Sequence, residues 1–510
     1  MNEYTERLPL NMPLHAALPL AVLVLWIGWR YVTYLRSGLR AIPTIGHSAP
    51  LLFLVTAAQF IQDSQQLIAK GYDTHRGGLY KIPLLAYWIV VGPDTQAVED
   101  IRRAPPGVLS FKLAQDIFLQ SVYTAGPQVV RDKYHVHLIR THLTRNLAAH
   151  LVRMYDEMLV AFNGAVPRGR DWGACDAGKV LSRVVSQMSN RVFVGEPLCR
   201  DPAYLALLGR FSSEFVKSVI IMKACPGWLK PLAARFFAGG LACARELVPH
   251  LLPLIKARRA ALKSDAKSDV VSESEEYNDA LRWCMEAATG EDQHPENIAL
   301  RLLWINFGVI HSTTVTLVFA TYHLAAHPVY ADVLRDEVEE ALAAEVWTKA
   351  GLNRMRKVDS FLKEVLRLNP PGIWAMQRYA LEPFTFSNGQ TVPAGTMLAC
   401  PALALHTDDA YYGAPADTFD PWRHSEASAE NGEGHRNMLV TTRPDYIPFG
   451  HGADACPGRF FAASQLKMLL AHIVRTYDVR FANGRGMPPR KFTAGVCLPG
   501  KTVIELRRRA

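Results

Sequence analysis

Two long apolar runs set the layout of this chain. The first, Leu8 to Trp29, continues for 22 residues without a charge, long enough to cross a bilayer as a helix. Pro9, Pro13, Pro19 and His15 interrupt its first half. The second starts at His294-Pro295-Glu296, where proline falls in the first helical turn. It reaches His327 with no internal proline, a span of about nine turns. This run is apolar nearly all round, so it predicts a helix buried on every side.

Shorter patterns fill in the rest. Phe53 to Tyr72, Val129 to Leu151, Phe361 to Arg367 and Pro457 to Tyr477 read as helical. Gly78 to Val91 alternates, carries aromatics and predicts a hairpin. Ala104 to Gln128 reads as irregular. The polar, acidic stretch from Lys263 to Asn278 reads as a solvated loop or frayed helix. The expected fold class is mainly α with a minor β region, preceded by one N-terminal transmembrane helix. The chain divides into an anchor (1–36), a proline-containing segment (37–50) and one large domain (51–510), because no low-complexity linker or internal repeat breaks the remainder.

Composition adds the compartment. Hydrophobic residues make up 49% of the chain, ample for a large core. Eight cysteines lie at Cys175, Cys199, Cys225, Cys243, Cys284, Cys400, Cys456 and Cys497, with no zinc or redox spacing among them. No Asn-x-Ser/Thr acceptor occurs. Both features fit a reduced, cytosol-facing domain. The net charge of +9 suits nucleic acid or a membrane surface; behind an anchor, the membrane reading is preferred and no nucleic-acid partner is expected. Arg30, Arg36 and Arg40 follow the first run, whereas Glu3, Glu6 and a single Arg7 precede it. Positive charge stays cytoplasmic, so a single pass with a lumenal N-terminus is expected. A cleaved signal peptide is the rival reading; the partly acidic start and the lack of a small-residue cleavage site oppose it.

Cys456 has the most informative surroundings. It stands in Pro448-Phe-Gly-His-Gly-Ala-Asp-Ala-Cys-Pro-Gly-Arg-Phe-Phe461, among Gly450, Gly452 and Gly458, just ahead of a helical run. Glycines permit a tight loop whose amides close on the sulfur. A helix N-terminus favours negative charge and lowers a thiol's pKa, so the spacing predicts a stabilised thiolate. Elsewhere, Glu364 and Arg367 are three apart and share a helix face. Phe307-Gly-Val-Ile-His-Ser-Thr-Thr314 places small and hydroxyl residues midway along the second long run. Alone, such hydroxyls read as bonded to their own helix carbonyls, and such a charge pair as a surface pair of little worth.

Together these stretches resemble the cytochrome P450 family of haem-thiolate monooxygenases, fungal microsomal members in particular. The pattern Phe449, Gly450, Gly452, Cys456, Gly458 resembles the family's haem-binding loop. Asn190-Arg-Val-Phe-Val-Gly-Glu-Pro-Leu-Cys-Arg200 and Cys456-Pro-Gly-Arg-Phe-Phe-Ala462 look like fungal members. The similarity spans nearly the whole chain and implies the family's fold, with haem b as cofactor and Cys456 as the axial ligand of its iron. It implies that Glu364 and Arg367 are a buried pair joined by Arg423, and that Arg140 and Arg378 hold the haem propionates, with His137 and His451 as weaker candidates. Gly308 would open the central helix over the haem. Ser312, with Thr313 or His311, would relay protons. Ala41-Ile-Pro-Thr-Ile-Gly46 resembles the family's membrane hinge.

One position departs from the family. Asp454 stands where Arg or His usually meets a propionate, and two carboxylates in contact repel. The resemblance also implies a pocket lined by Phe111, Phe118, Val122, Phe215, Ile220, Phe307, Ile373, Trp374, Met376 and Leu498. Such a lining suits an apolar small molecule, with a terpenoid or steroid of fungal secondary metabolism as the leaning. Implied partners are NADPH-cytochrome P450 reductase and cytochrome b5, docking on basic residues such as Arg131, Lys133, Arg459 and Lys467. A monomer in the endoplasmic reticulum membrane, with its catalytic domain in the cytosol, is expected. Two alternatives stay open: a haem-thiolate isomerase or dehydratase that needs no reductase, and a non-catalytic haem- or lipid-binding relative.

Overall fold

A computed structural model describes residues 14–49, 51–166, 171–265, 278–431 and 437–509. Residues 1–13 of the expected anchor, and 266–277 of the polar stretch, lie outside the described residues. The chain is mainly helical, with small sheets at the periphery. At its centre lies the helix Pro295–Ala326, 32 residues long with Pro295 in its first turn. Between Ile298 and Ala325 its only exposed residues are Gly308 and His311. Among the described residues this is the one helix long and apolar enough to span a bilayer, and it serves as core. Helices Ala177–Phe193, Gly239–Asp265, Arg356–Leu368 and Arg459–Thr476 pack around it.

The largest sheet holds five strands: β1 (Tyr80–Pro83), β2 (Trp88–Val91), β3 (Leu109–Ser110), β4 (Ala375–Ala380) and β5 (Met397–Cys400). Their order is β1-β2-β5-β4-β3, with β2 and β5 parallel and the other neighbours antiparallel. β1 and β2 form the expected hairpin. A bulge between Ala375 and Arg378 breaks the β4–β5 register, and Met376 sits there with φ +57°. Bulges re-aim side chains beside functional sites.

Local chemistry corrects three helical boundaries. Phe53 to Tyr72 forms two helices, Leu52–Gln62 and Ser64–Thr74, because Asp63 leaves the helical region and caps the second through the amides of Gln65 and Gln66. Ala104 to Gln128 is not irregular: Ser110 caps a helix at Phe111–Leu119. Val129 to Leu151 is not one helix. It breaks into Pro127–Arg131, Tyr134–Leu138, a π turn at Ile139–Leu143 and the start of Leu147–Ala165. Fully buried Arg301 of the central helix holds this broken segment, donating to the carbonyl of Gln128 at 3.1 Å and stacking on Tyr134.

The helix Leu14–Arg36 leads into the domain. Its end packs on it: Tyr34 stacks on Trp88 at 4.5 Å and Arg30 lies 4.8 Å over Phe53. The segment that follows is stitched to β1, with the Lys81 amide donating to the Pro43 carbonyl at 2.8 Å and the Ile45 amide to the Lys81 carbonyl at 2.9 Å.

Burial holds the imidazole of His406 down at about 3 and that of His424 at about 4. His135, His150, His323 and His472 are lowered by the same cause. These rings stay neutral in the fold, whereas an unfolded chain protonates them below about 6.5. Stability is therefore full above about pH 6.5 and falls as pH drops through that value, by up to about 1.4 kcal/mol per pH unit for each ring. We expect the thermal midpoint to fall steadily between about pH 7 and about pH 5. A midpoint that stays level across that window would mean the rings are already protonated in the fold.

Candidate functional site

Glu364 and Arg367 lie one turn apart on Arg356–Leu368 and are both fully buried. Their contact is bidentate, Arg367 Nε donating to one carboxylate oxygen at 2.7 Å and Nη2 to the other at 2.6 Å. Arg423 at 3.3 Å and the Asp420 amide at 3.1 Å donate to Oε1, the oxygen that Nη2 reaches, and His424 Nε2 stands 3.3 Å from Oε2. Burial alone would push the Glu364 carboxyl up; hydrogen bonds from Arg367 and His424 overcome it and hold the group down at about 2. The remaining Arg367 donors reach the carbonyls of His406, Ala416 and Thr418.

His406 carries this network onward. Its Nδ1 donates to the Arg367 carbonyl at 3.0 Å, and its Nε2 accepts from the Ile447 amide at 3.0 Å. Both bonds require the neutral ring with the proton on Nδ1. Ile447 opens the cysteine loop, and its carbonyl accepts from the Gly450 amide at 3.0 Å. Gly450 and Gly452 adopt φ of +70° and +80°, which favour glycine. A Cβ on Gly452 would also lie 2.5 Å from Arg102 Cγ. The loop closes where the Cys456 amide donates to the Phe449 carbonyl at 2.8 Å, and Gly458 caps the helix Arg459–Thr476. The expected thiolate is corrected for the protein alone. Burial pushes the Cys456 thiol up and outweighs the amides of Gly458 and Arg459 and the charge of Arg459. A metal ion would have to supply the deprotonation.

The central helix has a single opening. A Cβ built on Gly308 meets nothing within 4 Å. The Ser312 hydroxyl donates to the Gly308 carbonyl at 3.2 Å, so it is engaged within its own helix, whereas the Thr313 hydroxyl is buried with no partner among the described residues. Phe215 meets Phe307 at 4.8 Å and Trp304 at 5.0 Å, both edge-on, and Phe307 lies 5.8 Å from His311. An aromatic wall therefore adjoins the opening.

A cytochrome P450 family profile matches residues 47–505. The chain is 37% identical to cytochrome P450 monooxygenase 151 of Postia placenta, over 90% of this chain and 92% of that protein. It is 31% identical to a cytochrome P450 monooxygenase of Ganoderma lucidum, over 92% and 91% of the two chains. It is 28% identical to an ent-kaurene oxidase of Gibberella fujikuroi, over 84% of each. This chain belongs to the cytochrome P450 family. It is a monooxygenase, and the family implies a haem-thiolate cofactor.

The residues of this cytochrome P450 fit such a group. The one sulfur in the glycine loop is the donor such a group needs, and the open space at Gly308 beside exposed His311 leaves room along an otherwise buried helix. Basic residues stand near the loop. Arg140, on the π turn, donates to the Ala453 carbonyl at 3.2 Å. Buried Arg378 stacks over Phe111 at 5.2 Å and pairs with Asp454 at 3.0 Å. His451 is already engaged, 2.9 Å from the Thr442 hydroxyl and 3.3 Å from Glu99, while its amide donates to the Met376 sulfur at 3.1 Å.

The pocket positions separate. Phe215, Ile373, Trp374 and Met376 are buried, and Phe111, Phe118 and Phe307 are half-buried. Trp374 stacks on Phe60 at 4.8 Å, and Ile373 also borders a polar cleft of about 610 Å³ lined by Tyr72, Arg76 and Asp408. Val122, Ile220 and Leu498 are exposed. One docking candidate is corrected: Lys467 is buried and pairs with Asp359 at 2.5 Å, so it presents no charge to a partner. Sequence reasoning missed Trp304, His406 and His424. Trp304, three before Phe307 on the same helix face, could have been found by spacing.

Removing one member of a buried ionic network leaves an uncompensated charge. We expect Glu364→Gln or Arg367→Ala to cost about 3–5 kcal/mol and to yield protein without haem. His406→Phe, which keeps the ring but loses both bonds, should keep the helical far-ultraviolet spectrum while lowering the haem-to-protein ratio. A full complement of haem in that variant would show that the cysteine loop does not depend on this connection.

Proposed function

We propose that this cytochrome P450 oxidises an apolar small molecule of terpenoid or steroid type in fungal secondary metabolism, using electrons from NADPH-cytochrome P450 reductase, with cytochrome b5 as an accessory donor. The observation that carries the reading is the aromatic wall of Phe215, Trp304 and Phe307 beside the opening at Gly308 and His311. A wall of this kind binds a rigid hydrocarbon by area and shape rather than by hydrogen bonds. The similarity to an ent-kaurene oxidase leans the same way.

The haem, as haem b, supplies oxygen activation and transfer of one oxygen atom to the substrate. The protein's part is to hold, orient and deliver protons. Cys456 would provide the sulfur that holds the haem iron, and the network running from Glu364 through His406 fixes its loop. Arg140 and Arg378 would hold the propionates. Phe215 and Phe307 exclude water and press the substrate towards Gly308. Ser312 breaks its bond to the Gly308 carbonyl to pass a proton, with Thr313 and His311 as neighbours in the same relay. A relay of this kind opposes the isomerase reading, which consumes no protons from solvent.

Membrane attachment through residues 1–36, with 37–50 as a hinge and 51–510 as a cytosol-facing domain on the endoplasmic reticulum, follows from the same reading. Exposed apolar side chains support it: Leu25 and Trp29 near the N-terminus, and Trp228, Leu232 and Phe236 on the domain. Substituting Trp228 and Phe236 with serine should weaken association with vesicles and leave the fold intact.

The decisive assay reconstitutes the holoprotein with NADPH-cytochrome P450 reductase in vesicles and offers polycyclic terpenoid scaffolds. We expect NADPH-dependent addition of one oxygen atom to at least one scaffold, and none with Cys456→Ala. Ser312→Ala should consume NADPH without matching product, losing about 10²-fold or more in product rate. Turnover without NADPH or reductase would instead establish the isomerase alternative.

A further inference from the structure

Asp454 stands two residues before Cys456, and the structure gives this carboxylate a partner. Arg378 Nη2 lies 3.0 Å from Asp454 Oδ2. Arg378 is buried, whereas Asp454 is exposed. Burial lowers the Arg378 pKa, and Asp454 acts in the opposite direction. The guanidinium is otherwise held by the Phe111 ring at 5.2 Å and by its donation to the Gln377 carbonyl at 2.9 Å. The β4 bulge at Met376 sets this geometry, since the strand resumes its register at Arg378.

Other cations near the loop share a single carboxylate. Glu99 draws Arg102 at 2.7 Å, Arg103 at 3.3 Å and His451 at 3.3 Å. Arg140 and Arg459 donate to loop carbonyls, those of Ala453 and Cys456, and among the described residues no carboxylate pairs with either.

We propose that Asp454 is a tuning residue for the haem: it shares Arg378 with a propionate, so that the cofactor is held and poised by one net cation fewer than its basic residues supply. The proposal rests on the haem site described above. An arginine has five donors in a planar fork; among the described residues Asp454 and the Gln377 carbonyl engage two of them, which leaves donors for a second carboxylate. The Asp454 charge then stands close to the propionate through one guanidinium. It weakens that propionate's hold and favours the more positively charged, oxidised iron. Screening by salt follows, because Asp454 is open to solvent.

The test uses the full-length holoprotein with Asp454→Asn, which keeps an oxygen to accept from Arg378 but loses the charge. Three quantities are compared with the parent: the rate of haem transfer to a scavenging apoglobin, the midpoint reduction potential of the iron, and the salt dependence of both. We expect haem transfer to slow by about three- to tenfold at low salt. The potential should move upward, and both differences should shrink in concentrated salt. Asp454→His should slow transfer at least as much. In an Arg378→Gln background, the same Asp454→Asn change should have less effect than in the parent. Unchanged rate and potential in Asp454→Asn, with haem still bound through sulfur, would overturn the proposal. Faster haem loss would also overturn it, by making Asp454 an orienting tether for Arg378. A parent protein that takes up no haem would refute the haem site itself, a separate result.

Discussion

The bidentate contact between Glu364 and Arg367 is the constraint on which the site is built. A carboxylate and a guanidinium, both fully buried, persist only when nearly every donor and acceptor finds a partner. The partners lie far apart in sequence: Thr418, Asp420 and Arg423 on one side, and His406 and Ala416 on another. Satisfying one ion pair therefore fixes the path of the chain from His406 to His424. Through the His406 ring it also fixes Ile447, the first residue of the cysteine loop. The reactive end of the molecule inherits its position from a pair of charges that takes no part in the chemistry.

A second constraint comes from the central helix. It is apolar and buried on all sides except at Gly308 and His311. Such a helix cannot shift along its axis without exposing core, so it is a rigid roof. The opening in it is made by a residue lacking a side chain, and the hydroxyls just beyond lie on the same stretch. Phe215 of the Pro202–Ala224 helix meets Trp304 and Phe307 of the central helix to form the aromatic wall. A buried helix thus carries the opening and part of the aromatic wall, while the cysteine loop is built on left-handed glycines.

Much of this was legible in the chain. The central helix was readable to within a residue, because an uninterrupted apolar run with proline at its start leaves little choice. Glu364 and Arg367 were readable as neighbours from spacing. Their burial was not, since spacing alone describes a surface pair equally well; the resemblance to a family supplied it. His406 was illegible because 39 residues separate it from Arg367, and nothing local to it announces a partner. The breaks at Asp63 and at the π turn Ile139–Leu143 were missed because capping and tertiary anchoring by Arg301 override apolar periodicity. The expected fall in the Cys456 pKa was reversed because burial of the sulfur outweighs its two amides, a balance that sequence does not reveal. Asp454 was readable as an anomaly, but its answer, Arg378, required the β4 bulge.

The account's central claim is that the sulfur of Cys456, held by the Glu364–Arg367–His406 network, is the protein ligand of the haem iron. X-ray absorption at the iron edge of the purified resting protein tests it directly. One sulfur scatterer beside the porphyrin nitrogens, absent in Cys456→Ala, is the predicted result. A first shell of nitrogen and oxygen alone in the parent protein would contradict it.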